Sequence, residues 1–196
     1  MLRQCKLKDP DFETICADIE NLPFKEPQYD LIVSSLTLHW CKEIEKIFYD
    51  IYEILNENGL FMFTTVGPDT LSELKETYKL IDDKDHINLF HDMHIYGDIL
   101  LTTGFDDPVI DVEKITIEYP SVHNVFNSIK KIGANTLINS NGSNITKSMY
   151  KKIINLYPKT KQMMCPVTYE VIYGASWKKI KKTGKKSSNF IKIKKI

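Results

Sequence analysis

The stretch YDLIVSSLTLHWCKEIEKIFYDIYEILNENGLFMFTT, residues 29–65, decides the fold. Tyr29–Ser34 is a continuous apolar run, the pattern of a strand buried on both faces. Ile44, Ile47, Phe48, Ile51, Ile54 and Leu55 then recur at helical spacing with charged residues between them, which predicts an amphipathic helix of about three turns. Asn58-Gly59 is expected to stop that helix, and Leu60–Thr65 (LFMFTT) follows at once as a second buried strand. Strand, helix, stop and strand make a βαβ unit, hence parallel strands and a right-handed crossover.

Outward from this unit the alternation continues. Phe12–Ala17 is a short, moderately apolar run that reads as a strand. Thr70–Leu80 and His91–Thr103 read as helices, the second closed by Gly104. Val109–Tyr119 alternates, with Ile115, Ile117 and Tyr119 on one face and Lys114, Thr116 and Glu118 on the other, as in a half-exposed strand. Ser121–Ile132 predicts a helix, Asn139–Ser143 a polar turn, Met149–Leu156 a short helix before Pro158, and Thr168–Trp177 a final strand. The class is α/β with a mostly parallel sheet, which binds ligands at the carboxyl ends of its strands.

Composition narrows the function. Of the 196 residues, 42% are hydrophobic and 27% charged, so the chain is not a low-complexity polymer. No apolar run approaches the ~18–20 residues of a membrane span, and MLRQCKLKDPDF has no apolar signal core. Cys5, Cys16, Cys41 and Cys165 are widely spaced with no C-x-x-C pair, which argues against a zinc ribbon or disulfide scaffold and suits a reducing cytosol. The formal charge of zero hides an asymmetry: residues 178–196 hold nine lysines and no acid, leaving 17 basic and 26 acidic groups on residues 1–177. That tail reads as a solvated, disordered extension or as a contact for an acidic partner.

Three stretches could carry chemistry. Asp18 lies just past the first predicted strand, where it could accept a hydrogen bond from an exocyclic amine such as adenine N6 while Ile19 and Phe24 wall an apolar slot. The same residue type at the same place also makes a helix N-cap or a turn. Ser34-Ser35-Leu36-Thr37-Leu38-His39-Trp40 ends a strand with small residues that let a ligand approach the backbone. His39 and Trp40 would line a pocket there, or Trp40 would pack in the core with His39 on the surface. His86, His91 and His94 fall within nine residues, but without H-E-x-x-H or a cysteine pair the spacing does not suit zinc. A loop feeding a helix, with His86 or Asn88 touching substrate, fits better. No G-x-S-x-G, P-loop or G-x-G-x-x-G is present, and no interleaved basic and aromatic surface points to nucleic acid.

The order C-A-D-I-E-N-L-P-F, Y-D-L-I-V-S-S-L-T-L-H-W and I-L-N-E-N-G-L-F-M-F-T-T resembles the second half of a class I S-adenosylmethionine (SAM)-dependent methyltransferase. Gly67–Leu74 (GPDTLSEL), Asp92–Asp98 (DMHIYGD), Ser128–Asn135 (SIKKIGAN) and Tyr169–Gly174 (YEVIYG) narrow the resemblance to the malonyl-acyl-carrier-protein O-methyltransferases of biotin synthesis, over about residues 1–177. That resemblance implies methyl transfer from SAM to the free carboxylate of malonyl carried on acyl carrier protein. It implies Asp18 and Ile19 at adenine, Ser34 and Ser35 beneath the methionine part, and His39, Trp40, His86, Asn88 and Phe90 on the malonyl side. No metal, nucleic acid or membrane enters. A complex I assembly factor of mitochondria shares the L-H-W and D-T-L stretches and is the second reading; a non-catalytic fragment is the third.

The resemblance also implies a partial Rossmann-like sheet. Against the family's strand order 3-2-1-4-5-7-6, strands 1 and 2 and the glycine-rich turn are missing, and Met1–Cys5 matches the helix just after the ribose-binding acid. Residues 1–177 are then the C-terminal two-thirds of a methyltransferase domain, with 178–196 a disordered tail that draws an acidic carrier protein. The expectation is a chain that on its own binds SAM weakly or not at all and falls short of a competent enzyme.

Overall fold

The structure, a computed structural model, describes residues 2–11, 13–84, 86–131 and 146–179. In chain order it forms α1 (Leu2–Lys8), β1 (Tyr29–Ser35), a 3-10 turn (Leu38–Trp40), α2 (Ile44–Ile54), β2 (Leu55–Val66), α3 (Ser72–Lys79), α4 (Met93–Thr103), β3 (Phe105–Tyr119), α5 (Val122–Lys131), α6 (Lys147–Leu156) and β4 (Cys165–Lys178). The four strands lie in the order β1-β2-β4-β3. This is the 4-5-7-6 end of the sheet expected for a class I methyltransferase.

The βαβ unit forms, but β1 is not buried on both faces: Leu31 and Val33 are exposed. β1 pairs parallel with β2, from Leu31 opposite Leu60 to Ser35 opposite Thr64. Between them α2 buries Ile44, Ile47, Phe48, Ile51 and Ile54. The sheet as a whole is not mostly parallel, because β4 runs antiparallel to both β2 and β3. Alternation of side chains records which face a strand buries, not the direction of its neighbour.

Two further expectations change. Of the predicted strand Phe12–Ala17, Phe12 lies outside the described residues and residues 13–17 form no strand; an isolated bridge between Asp18 and Asn21 is the β pairing of this region among the described residues. A strand needs a neighbour for its backbone groups, and among the described residues β1 pairs on one side alone. The α2 helix stops at Leu55, before Asn58-Gly59, and β2 begins there with an irregularity between Tyr29 and Leu31 of its partner. Asn58 takes the left-handed backbone (φ 62°), while Gly59 is fixed by crowding: a Cβ there would lie 2.8 Å from Asn56 O and 3.1 Å from Tyr29 O.

Two apolar cores hold the layers together. The first packs α2 and α4 on one face of the sheet through Phe48, Phe61, Phe63, Tyr96, Leu100, Phe105 and Ile172. Phe48 meets Phe61 and Phe63 edge-on at 5.3 and 5.4 Å between ring centres. The second joins α3, α5 and α6 to the start of β4 through Leu74, Tyr78, Val125, Ile153, Tyr157 and Val167. Lys178, grouped with the tail by its charge, is the buried last residue of β4. Its ammonium donates to the Glu53 and Leu55 carbonyls at 3.2 and 2.8 Å, where the end of α2 leaves acceptors unpaired. The predicted turn at Asn139–Ser143 and the tail beyond Lys179 lie outside the described residues.

Candidate functional site

The carboxyl ends of β1 and β2 open into a cavity of about 590 Å³. Its walls come from five separate segments: residues 36–40, 66–78, 86–90, 115–130 and 169–171. The size suits a small organic ligand. His39, Trp40, His86, Asn88 and Phe90 all line it.

Local backbone geometry brings them there. After β1, Leu36 turns into the left-handed region (φ 47°) and its N–H donates to the Thr64 carbonyl at 2.9 Å, tying the turn to β2. The Thr37 hydroxyl donates to the Ser35 carbonyl at 3.0 Å, and the 3-10 turn then presents His39 and Trp40 side by side, ring centres 5.0 Å apart. Phe90 meets His39 edge-on at 5.8 Å and is backed by the Lys75 ammonium, 5.2 Å from its ring centre. Lys75 is held in turn by the Pro68 carbonyl at 2.6 Å. Burial lowers the pKa of His39, so its imidazole is neutral at pH 7, and its Nδ1 finds no partner among the described residues. His86 stacks on Tyr78 at 4.3 Å and bonds Asp82 through Nε2 at 2.8 Å. Burial pushes the Tyr78 phenol up to about 12, so it serves as a neutral wall. His91 and His94 do not line the cavity; Asp92 caps α4 by accepting the His94 N–H at 2.9 Å.

None of the four cofactor candidates lines this cavity. Asp18 realises the turn alternative, its carboxylate accepting the Glu20 N–H at 3.0 Å, and Ile19 packs against the first core. Ser34 is buried with its hydroxyl unpartnered among the described residues, and the Ser35 hydroxyl accepts from Thr64 at 3.5 Å. Glu20, which sequence reasoning missed, anchors the turn: its carboxylate accepts the Lys42 and Glu43 N–H groups at 2.6 and 3.1 Å, at the amino end of α2. Those bonds hold its pKa below the usual carboxylate range. The turn and the His39–Trp40 segment are therefore neighbours. An orphaned hydroxyl, an acceptor carboxylate and an apolar Ile19 fit the adenine and methionine ends of a nucleoside cofactor; no residue here is assigned to its ribose.

Sequence reasoning also missed Asn127 and Lys130, which line the cavity from α5. The signal was present: Phe126, Ile129 and Lys130 fall at helical spacing, and all three face the cavity. Gly67–Leu74, quoted above only as a resemblance, proves to be a joint. The Gly67 N–H donates to the Glu170 carbonyl at 2.9 Å, the Asp69 N–H to the Glu170 carboxylate at 2.8 Å, and Thr70 and Glu170 bond reciprocally at 3.1 Å. Glu73 accepts from the Thr168 N–H at 2.9 Å. The end of β2 is thus fastened to β4, which fixes the cavity floor. A Cβ at Gly67 would lie 2.4 Å from the Glu170 carboxylate.

A family model described as a methyltransferase domain matches residues 1–63. The chain is 36% identical over 180 residues to a malonyl-[acyl-carrier protein] O-methyltransferase of Gallionella capsiferriformans, covering 91% of this chain and 62% of that one. It is 40% identical over 171 residues to the protein of the same name from Nitrosospira multiformis, covering 86% and 56%. A bifunctional biotin biosynthesis protein of Saccharophagus degradans is 31% identical over 82% of this chain and 30% of its own length. The chain thus spans 56–62% of the length of the first two. Among solved structures, a candidate methyltransferase of Bacillus halodurans superposes with a TM-score of 0.57 at 14% identity, over 86% of this chain and 78% of its own. The YcgJ protein of Bacillus subtilis gives 0.55 at 13%, over 84% and 70%. These two structures establish the fold alone.

Proposed function

We propose that this chain, homologous over most of its length to malonyl-[acyl-carrier protein] O-methyltransferases and folded as part of a class I methyltransferase, serves methyl transfer to the free carboxylate of a malonyl thioester borne by a carrier protein. The observation that carries the reading is the convergence of His39, Trp40, His86, Asn88 and Phe90 on one cavity at the strand ends. When bound, S-adenosyl-L-methionine supplies an electrophilic methyl group. Asp18 and Ile19 would hold its adenine, and Ser34 and Ser35 would lie beneath its methionine part. We place the reaction in the cytoplasm, where the four free thiols would stay reduced.

The acceptor carboxylate is already ionised at neutral pH, so no general base is required. The work left to the residues is alignment and exclusion of water. Neutral His39 can donate one hydrogen bond to the carboxylate without protonating it. Trp40, Phe90 and Tyr78 close the walls, and Asn88 and Asn127 offer amide donors. The expected affinity for the nucleoside cofactor is weak, since the described residues assign no ribose contact.

The test incubates residues 1–196 with malonyl-carrier protein at saturating SAM and follows intact mass. A slow gain of one CH2 on the malonyl group, lost in mild base and absent with acetyl-carrier protein, is expected. No gain, or a gain on a protein side chain as the assembly-factor reading requires, would overturn the proposal.

A further inference from the structure

From Tyr119 to Tyr169 the sequence contains no acid and seven lysines, whereas residues 1–118 carry 25 acidic and 10 basic groups. The structure gathers five of those lysines on two neighbouring helices. Lys130 and Lys131 end α5, and Lys147, Lys151 and Lys152 lie along α6. The helices are packed together, with Phe126 and Tyr150 at 5.7 Å between ring centres and the Tyr150 hydroxyl 3.4 Å from His123 Nδ1. All five lysines are exposed, and none forms an ion pair within 4.0 Å among the described residues.

This positive face meets the cavity. Five of the described lining residues are exposed, Leu36, Ile115, Ile117, Asn127 and Lys130, and Lys130 carries the one permanent charge among them. On the other side of His86, which lines both spaces, a smaller hollow is lined by Lys84 and Lys152, with Asp82 engaged by His86. An apolar slot with Lys130 on its wall and four further exposed lysines on the same two helices suits an acyl arm carried on an acidic protein surface. At about 590 Å³ the slot suits one acyl arm rather than the several successive bases that a single-stranded nucleic-acid groove stacks.

We propose that the α5–α6 face, Lys130, Lys131, Lys147, Lys151 and Lys152, is the docking surface for the acidic protein that delivers the acyl arm. This rests on the methyl-transfer reading for the arm, while the surface itself is argued from charge. Exposed charges of this kind steer association and weaken as salt screens them beyond about 10 Å at 0.1 M.

The test measures fluorescence anisotropy of labelled malonyl-carrier protein against the full chain, tail included, at about 20 and about 200 mM salt. Wild type is compared with K131E/K151E/K152E and with the control K6E/K8E/K25E, whose lysines are equally exposed. The face variant is expected to bind about tenfold or more weakly at low salt and the control within about twofold of wild type. Malonyl-pantetheine, the arm alone, should bind all three proteins alike. Equal binding of carrier by the face variant and wild type, equal losses in both variants, or displacement of the carrier by a 20-nucleotide single strand at matched concentration would each overturn the docking surface while leaving the cavity reading intact. Failure of both carrier protein and malonyl-pantetheine to bind wild type would overturn both.

Discussion

At the scale of single residues, the fold sets the reactivity of Cys41. Its thiol follows Trp40, lies half-buried, and donates to the Thr37 carbonyl at 3.7 Å. Burial, together with the charges of Glu20 and Asp18, pushes its pKa up to about 11. The thiolate is the reactive form, so the sign is a loss of reactivity throughout the neutral range that returns only as pH rises toward that value. At pH 8 an aromatic disulfide reagent is expected to modify exposed Cys16 quickly and Cys41 about a hundredfold more slowly than an ordinary exposed thiol. Peptide mapping checks it, and fast labelling at Cys41 would show that the Asp18 turn does not sit against it. None of this was readable in sequence. The fragment C-A-D-I-E names an acceptor at Asp18, whereas the anchoring bonds of Glu20 reach across to Lys42 and Glu43, a juxtaposition that local spacing cannot express.

At the scale of elements, the parts with strong periodicity were legible and those that depend on a neighbour were not. β1, α2 and β2 follow from their apolar patterns because each pattern states a face to bury. Phe12–Ala17 has a strand's composition, but its residues 13–17 find no partner strand among the described residues, and the antiparallel course of β4 is a matter of pairing rather than of pattern. The β2–β4 pair has its own requirement at Gly174, opposite Phe63. A Cβ there would lie 2.1 Å from the Phe63 ring, and that ring packs against Phe48, Phe61 and Tyr96. Gly174→Ala is expected to destabilise the protein by about 1–3 kcal/mol, through displacement of a core ring. Denaturant unfolding checks this. An unchanged midpoint would mean that the sheet and the first core are not in the register described.

At the scale of the whole molecule, a cavity drawn from five segments cannot be seen in any one of them. Five of its members were nonetheless named in advance, His39, Trp40, His86 and Asn88 from the residues and Phe90 from resemblance, while Asn127 and Lys130 needed α5 to be placed before their role could be argued. The same placement turns a charge bias in sequence into a positive face that reaches the cavity wall. The central claim is that an acyl chain ending in a carboxylate enters between His39, Trp40 and Phe90. The chain has two tryptophans, and Trp177 lies outside the cavity, so Trp177→Phe leaves Trp40 as its sole indole reporter. Titrating this variant with malonyl-pantetheine should change Trp40 fluorescence saturably, with acetyl-pantetheine at least about fivefold weaker for want of a charge to hold. A Trp40 signal unmoved by malonyl-pantetheine, or moved equally by the uncharged acetyl form, would contradict the account.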